Sequence, residues 1–266
     1  MKGRVLSVAG SDSGGGAGIQ ADIKTITALG GYAATAITAV TVQNTQGVSD
    51  IHRVPVDVIT AQMRAVLSDI GADIIKIGML HSADVIDAVA MVIEHDAIGI
   101  PVVLDPVMIA KGGHALLATD ATDALTKRFL PMSAVLTPNV PEAEAITGIK
   151  ITDVDAMESA ARRLIDQGAK AVLLKGGHMP GKDVTEILVA PPAACKRFTS
   201  ARIDTLHTHG TGCTLASGIA TGLAQGLSLH DAVSRARAYV RKAIETAPGF
   251  GSGHGPLNHG HTVNPV

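Results

Sequence analysis

Short apolar runs alternate with amphipathic stretches along this chain, and the alternation predicts its elements. Arg4–Ala9 reads as a short buried strand and Ser11–Gly18 as a glycine-rich loop. Ile19, Ile23, Ile26 and Leu29 recur at helical spacing, which predicts a helix over Ile19–Leu29. Ala33–Val42 is β-branched and strand-like. A helix starts with Pro55 at its first position and runs to Ile70, where Gly71 stops it. Asp73–Ile77, Pro101–Leu104, Ala134–Leu136 and Ala171–Leu174 read as further strands. Between them lie Ala83–His95 capped by Ser82, a helix opened by Thr119 or Asp120 and closing at Phe129, a short one near Pro141–Ile146, and Asp155–Gln167. After Lys175-Gly176-Gly177 the rhythm changes. Thr185–Val189 and Arg197–Ile203 are strands joined through Pro191-Pro192, which predicts a hairpin and an antiparallel edge. Thr211–Gln225 and Leu229–Ala247 follow as consecutive helices.

No repeat, charge block or linker interrupts this order, so residues 1–266 are expected to form one α/β domain. Its mostly parallel central sheet carries helices on both faces. Composition narrows the picture. Apolar residues make up 46% and charged residues 17%, which excludes a disordered chain. Only five residues are aromatic, and the net charge is −2. No nucleic-acid partner is expected, because cationic excess and a stacking platform are both missing. Mean hydropathy is +0.30. No uninterrupted apolar run reaches about 18 residues, so no membrane span is expected. Cys195 and Cys213 make no disulfide framework, and no secretory segment is recognised at the start. They read as cytoplasmic thiols.

Ligands of such sheets sit outside the carboxyl ends of the strands. Gly10–Gly18, Gln43-Asn44, Gly78-Met79, Asp105-Pro106-Val107, Thr137-Pro138-Asn139 and Lys175-Gly176-Gly177 all fall there. The first glycine loop reads as a ligand cradle between strand and helix. It is no dinucleotide fingerprint, since the second strand ends at Val42-Gln43-Asn44 rather than in an acid. It is neither a Walker loop nor a serine elbow, because no Gly-Lys-Ser/Thr follows and Asp12 stands in the nucleophile position. The second loop, His209-Gly210-Thr211-Gly212-Cys213-Thr214, opens a helix and forms an anion site from its unsatisfied N–H groups. Cys213 in that first turn is expected to have a lowered pKa. His207-x-His209 with Cys213 lacks a fourth metal ligand. Asp105, Asn139 and Glu142 offer oxygen ligands suited to Mg²⁺, and Lys175 a point charge for phosphate. Anion hole, carboxylates and lysine together indicate phosphoryl transfer.

With these motifs assembled, the chain resembles the hydroxymethylpyrimidine/phosphomethylpyrimidine kinases of thiamine biosynthesis, within the ribokinase-like superfamily. The resemblance runs from Ala9 to Asn258. It is carried by Ala9–Asp22, Thr41–Thr45, Lys76–Met79, Asp105–Met108, Thr137–Asn139 with Glu142, Lys175–His178, Thr208–Thr214 and Gly253–Asn258. It implies a three-layer ribokinase-like fold without a large lid domain. It also implies ATP and Mg²⁺ as cofactors, with phosphoryl transfer to 4-amino-5-hydroxymethyl-2-methylpyrimidine and then to its monophosphate. By the same likeness Gln43 contacts the aminopyrimidine edge, Ala17, Met79 and Val107 wall the ring, and Asp12 belongs with them. Lys175, Asn139, Thr208 and Thr211 serve the nucleotide, and Asp105 and Glu142 govern Mg²⁺. Gly210 and Gly212 form the anion hole, and Cys213 takes the hydroxyl proton in the first transfer. His207, where the pattern more often has Asn, is expected to tune the nucleotide side. A small homodimer is implied. Pyridoxal kinase is the alternative activity, because pyridoxal is also a hydroxymethyl-bearing ring of similar size.

Overall fold

The computed structural model describes residues 1–108, 116, 121–193 and 195–263. Among the described residues nine strands form one sheet in the order β3-β2-β1-β4-β5-β6-β7-β8-β9. The parallel part comprises β2 (Tyr32–Gln43), β1 (Arg4–Asp12), β4 (Ile74–Ile77), β5 (Val102–Leu104), β6 (Ser133–Leu136) and β7 (Val172–Lys175). β8 (Asp183–Val189) and β9 (Lys196–Ala201) add the expected antiparallel edge. A second antiparallel edge, β3 (Val48–Arg53), pairs with β2 and was not expected. Its sequence, Val-Ser-Asp-Ile-His-Arg, is mostly exposed and has no apolar run to announce it. The backbone pairing with β2 makes it a strand.

Period-two alternation in the parallel strands feeds two cores. Val5, Ile74, Val103, Val135 and Leu173 point toward α1 (Gly18–Ala28), α7 (Thr211–Ala224) and α8 (Leu229–Glu245). Leu6, Ile75, Ile77, Val102, Leu104, Val172 and Leu174 point the other way. There they meet α2 (Val56–Asp69), α3 (Ala83–Asp96), α4 (Ala121–Phe129), α5 (Val140–Thr147) and α6 (Val154–Asp166). Few aromatics are needed because the layers approach closely. A Cβ at Gly218 or Gly222 of α7 would lie 2.9 or 2.7 Å from Ala236 or Ala232 of α8.

The same alternation sends Lys76 of β4 into the α1/α7 layer, where it is completely buried. Its ammonium meets Asp22 of α1 at 2.9 Å, and Asp22 also accepts from Ser7 and Ser217 at 2.6 and 2.7 Å. A buried pair of this kind persists only when its remaining valences are hydrogen-bonded, as the two serines do for Asp22.

Helix starts differ in detail from expectation. Pro55 is the N-cap of α2 rather than its first helical residue. Ser82 does stand at the N-cap of α3, but its hydroxyl bonds Asp84 instead of a helix N–H. The expected α4 start at Thr119 or Asp120 lies outside the described residues. Among those described, no helix is long and apolar enough to cross a membrane.

Candidate active site

The carboxyl ends of β1, β2, β4, β5, β6 and β7 open into a cavity of about 900 Å³, and every residue given a role from the sequence, except His207, lines it. The strand order explains the gathering: parallel strands in one sheet deliver their following loops to one rim.

At one end the cavity is built by the first glycine loop and β2. Asp12 is buried, and its carboxylate accepts from the backbone N–H groups of Gly14, Gly16 and Ala17 at 2.8, 3.0 and 2.8 Å. His209 stands 2.8 Å from the same carboxylate. Burial alone would raise the Asp12 pKa, but the bonds from His209, Ala17 and Gly14 hold it below the ordinary carboxylate value. Asp12 thus holds the loop in shape, a role its sequence position did not reveal. Ser13 bonds the Gln43 backbone at both its N–H and its carbonyl, tying the loop to the end of β2. Met79 packs with Ala39 and Leu116 into a small apolar cluster, with Val107 beside it. Ala17 completes that wall, and the Gln43 amide faces the same space.

The other end is charged. Gly210 is the N-cap of α7 with φ +85°, and a Cβ there would overlap the Gly16 carbonyl oxygen. Only glycine lets the two loops touch. Thr211, Gly212 and Cys213 form the first turn of α7, whose N–H groups have no intrahelical acceptors. Lys175 Nζ lies 2.8 Å from Asp105 Oδ1, and Thr137 Oγ1 donates to that oxygen at 3.2 Å. Burial works against the Lys175 charge, but Asp105 and Glu142 outweigh it and raise its pKa. Asn139 and Glu142 form a reciprocal capping box at the start of α5: Asn139 N–H donates to Glu142 Oε2 at 2.7 Å, and Glu142 N–H to Asn139 Oδ1 at 2.9 Å. Burial pushes the Glu142 carboxyl up to about 7, against the pull of Lys175.

Cys213 differs from expectation. Its thiol is pushed up to about 12, chiefly by burial, with Asp22 and Asp105 adding to the rise. Lys76 and the Gly18 N–H oppose the shift without reversing it. A helix start contributes up to about 2 kcal/mol. The three units between 9.0 and about 12 amount to about 4 kcal/mol, so burial wins. His207 also differs. It is not part of the cavity wall and packs against Gly255 of the C-terminal segment. Two wall features were not anticipated: the ion pair of Glu186 with Arg237, and the Arg237 guanidinium 4.8 Å above the Phe198 ring. These partners sit on strands and helices far apart in sequence.

For a divalent cation, the available ligands are hard carboxylate oxygens. Asp105 Oδ2 faces Gly212, and Glu142 is near enough to feel the Asp105 charge. Among the described residues, no three His, Cys, Asp or Glu side chains gather in metal-binding fashion. Two carboxylates fit a magnesium ion whose other ligands are phosphate oxygens and water.

Residues 12–258 match the family described as phosphomethylpyrimidine kinase. The chain belongs to the phosphomethylpyrimidine kinase family. It is 46% identical over 256 residues to the hydroxymethylpyrimidine/phosphomethylpyrimidine kinase of Bacillus subtilis, covering 96% of this chain and 94% of that protein. It is 52% identical over 258 residues to the thiamine biosynthesis bifunctional protein ThiED of Geobacter sulfurreducens, covering 97% of this chain but only 52% of that longer protein. Among solved structures, the pyridoxal kinase of Staphylococcus aureus in complex with AMP-PCP and pyridoxal superposes with a TM-score of 0.89. That match has 34% identity and covers 98% of this chain and 94% of the other. The three-layer ribokinase-like architecture is therefore shared with vitamin kinases, as the motifs implied.

Proposed function

We infer that this protein transfers the γ-phosphoryl group of ATP to 4-amino-5-hydroxymethyl-2-methylpyrimidine and then to the resulting monophosphate. The observation that carries this reading is one continuous cavity with two unlike ends. One end offers an amide, Gln43, beside an aliphatic wall of Ala17, Met79 and Val107. That suits a flat, neutral ring with a donor–acceptor edge. The other end offers the bare N–H groups of α7 beside Lys175, which suits phosphates. Lys175, Thr208, Thr211 and Asn139 serve the nucleotide, with Asn139 acting through the capping box. Asp105 and Glu142 would hold magnesium, which supplies charge neutralisation on the phosphates. Cys213, in the first turn of α7, lines the same cavity and would meet the reacting hydroxyl.

Pyridoxal is the weaker candidate. Identity to the hydroxymethylpyrimidine/phosphomethylpyrimidine kinase of Bacillus subtilis is 46%, against 34% to the Staphylococcus aureus pyridoxal kinase. Residues 1–266 act as one domain in this reading. Two unpaired cysteines support a cytoplasmic location. A homodimer is supported by Val40 and Val42, apolar and exposed on β2 beside the β3 edge. The deciding experiment offers the pyrimidine alcohol, its monophosphate and pyridoxal separately with MgATP and follows ADP release. Turnover of both pyrimidines is expected. Turnover of pyridoxal alone would overturn the reading.

A further inference from the structure

The first glycine loop, the end of β2 and the start of α7 meet at Asp12, Thr41, Gln43 and His209, where protons can be assigned one by one. His209 is buried, and its Nε2 lies 2.8 Å from Asp12 Oδ2 and 3.4 Å from Gln43 Nε2. The Asp12 carboxylate already accepts three backbone N–H groups, so the proton shared with His209 belongs to the imidazole Nε2. On the other side of the amide, Thr41 Oγ1 lies 3.0 Å from Gln43 Oε1 and 3.0 Å from the Ser11 carbonyl oxygen. A hydroxyl has one proton, and a backbone carbonyl can only accept.

A half-turn about the last side-chain bond exchanges the amide oxygen and nitrogen in nearly the same volume. With Nε2 toward His209, two donors face each other and two acceptors compete for one Thr41 proton. After the half-turn, Thr41 donates to Ser11, Gln43 Nε2 donates to Thr41, and Gln43 Oε1 faces the His209 N–H. The imidazole proton stays directed at Asp12, and no two donors or two acceptors then oppose each other. The imidazole is itself fixed: a Cβ on Gly16 would overlap its ring, and the His209 backbone N–H donates to the Gly255 carbonyl at 3.2 Å.

We propose that His209, held by Asp12, is a positioning residue that sets the polarity of the Gln43 amide and thereby which ring edge the pocket accepts. The amide oxygen takes an exocyclic amino group, and the remaining Nε2 hydrogen takes the adjacent ring nitrogen. A 4-oxo ring, with a carbonyl and a ring N–H in those places, meets oxygen with oxygen and N–H with N–H. The inference rests on the reading that the pocket takes an aminopyrimidine alcohol.

The test compares kcat/KM for the 4-amino and 4-oxo pyrimidine alcohols in the wild type, His209→Phe and His209→Gln, with the melting temperature and the KM for ATP measured alongside. A site built to hydrogen-bond one pattern discriminates strongly, so the wild type should prefer the amino ring by about 100-fold or more. His209→Phe should lower that ratio at least about tenfold. His209→Gln, which restores a donor at similar reach, should return it to within about threefold. Should His209→Phe not fold, Thr41→Val removes the other partner of the amide and should lower the same ratio. An unchanged ratio with both rates falling together would make His209 merely structural and overturn the inference. A wild type that turns over neither ring would instead overturn the reading of function, and the inference with it.

Discussion

The Cys213 thiol yields a prediction whose size follows from its surroundings. Burial holds it as a thiol with a pKa of about 12. At pH 7 that is about five units away, so the thiolate is about one molecule in 10⁵ and lies about 7 kcal/mol uphill. A raised pKa on an acid means that the proton stays on until the pH approaches that value. If Cys213 takes the proton of the substrate hydroxyl, the first transfer should speed up about tenfold per pH unit from 7 to 9. The second transfer, to a phosphate already ionised above a pKa of about 6, should stay flat over the same range. Cys213→Ala should remove the slope and slow the first transfer by about 10² to 10⁴, a general-base contribution, while leaving the second within a few-fold. An independent readout is alkylation of ligand-free protein carrying Cys195→Ala, which leaves Cys213 as its one cysteine. Three units above the ordinary thiol value make the labelling rate about a thousandfold slower than for a free cysteine at pH 7.5. That rate should still be climbing at pH 10. A labelling plateau below pH 9 would show a preformed thiolate and refute the burial argument. Equal loss of both transfers in Cys213→Ala would assign the residue to the anion hole instead.

Glu142 titrates in the folded state near 7, above its ordinary 4.5, because of burial. The stability this gives is complete below pH 4.5 and is lost as pH rises through 7, an effect on the order of 3 kcal/mol. Glu142→Gln should flatten the fall in urea-unfolding free energy between pH 5 and 8, and an undiminished fall would place its origin elsewhere. Lys76→Met leaves Asp22 buried without its cation, which should destabilise the protein by about 3–5 kcal/mol. At roughly 2 °C per kcal/mol the melting temperature should drop by about 6–10 °C. Adding Asp22→Asn should recover at least half of that drop, and a double variant no better than the single one would contradict the pairing. Gly210→Ala places a Cβ against the Gly16 carbonyl at positive φ. It should cut both transfers by about 100-fold or more with circular dichroism unchanged, because the N–H groups of α7 would no longer face the transferred phosphate. Near-normal rates would show that the two loops need not touch.

Much of this was readable from the chain, for a physical reason. Parallel strands buried on both faces must be apolar, so runs such as Ile74–Ile77 announce themselves, and the loops that follow such runs collect on one rim. The cavity residues were therefore found without knowing any contact. The capping box has a local signature too: Asn139-x-x-Glu142 marks a helix start with residue types that also serve as oxygen ligands.

The misses share one cause: they depend on what lies across space. Lys76 interrupts an apolar run, and its burial depends on Asp22, 54 residues earlier, and on Ser217 binding the same carboxylate. Asp12 meets a histidine 197 residues away. The Cys213 thiol stands where helix geometry alone would lower its pKa, yet burial, with Asp22 from α1 and Asp105 after β5 adding to it, reverses the sign. β3 is a strand because β2 lends it hydrogen bonds that its own polar sequence does not request. In each case the charge and hydrogen bonds brought by distant segments decided what the residue or segment does. Composition carries the same distinction. Glycines at Gly16 and Gly210 are required because two loops distant in sequence must touch, and that contact joins the Gln43 end of the cavity to the α7 end.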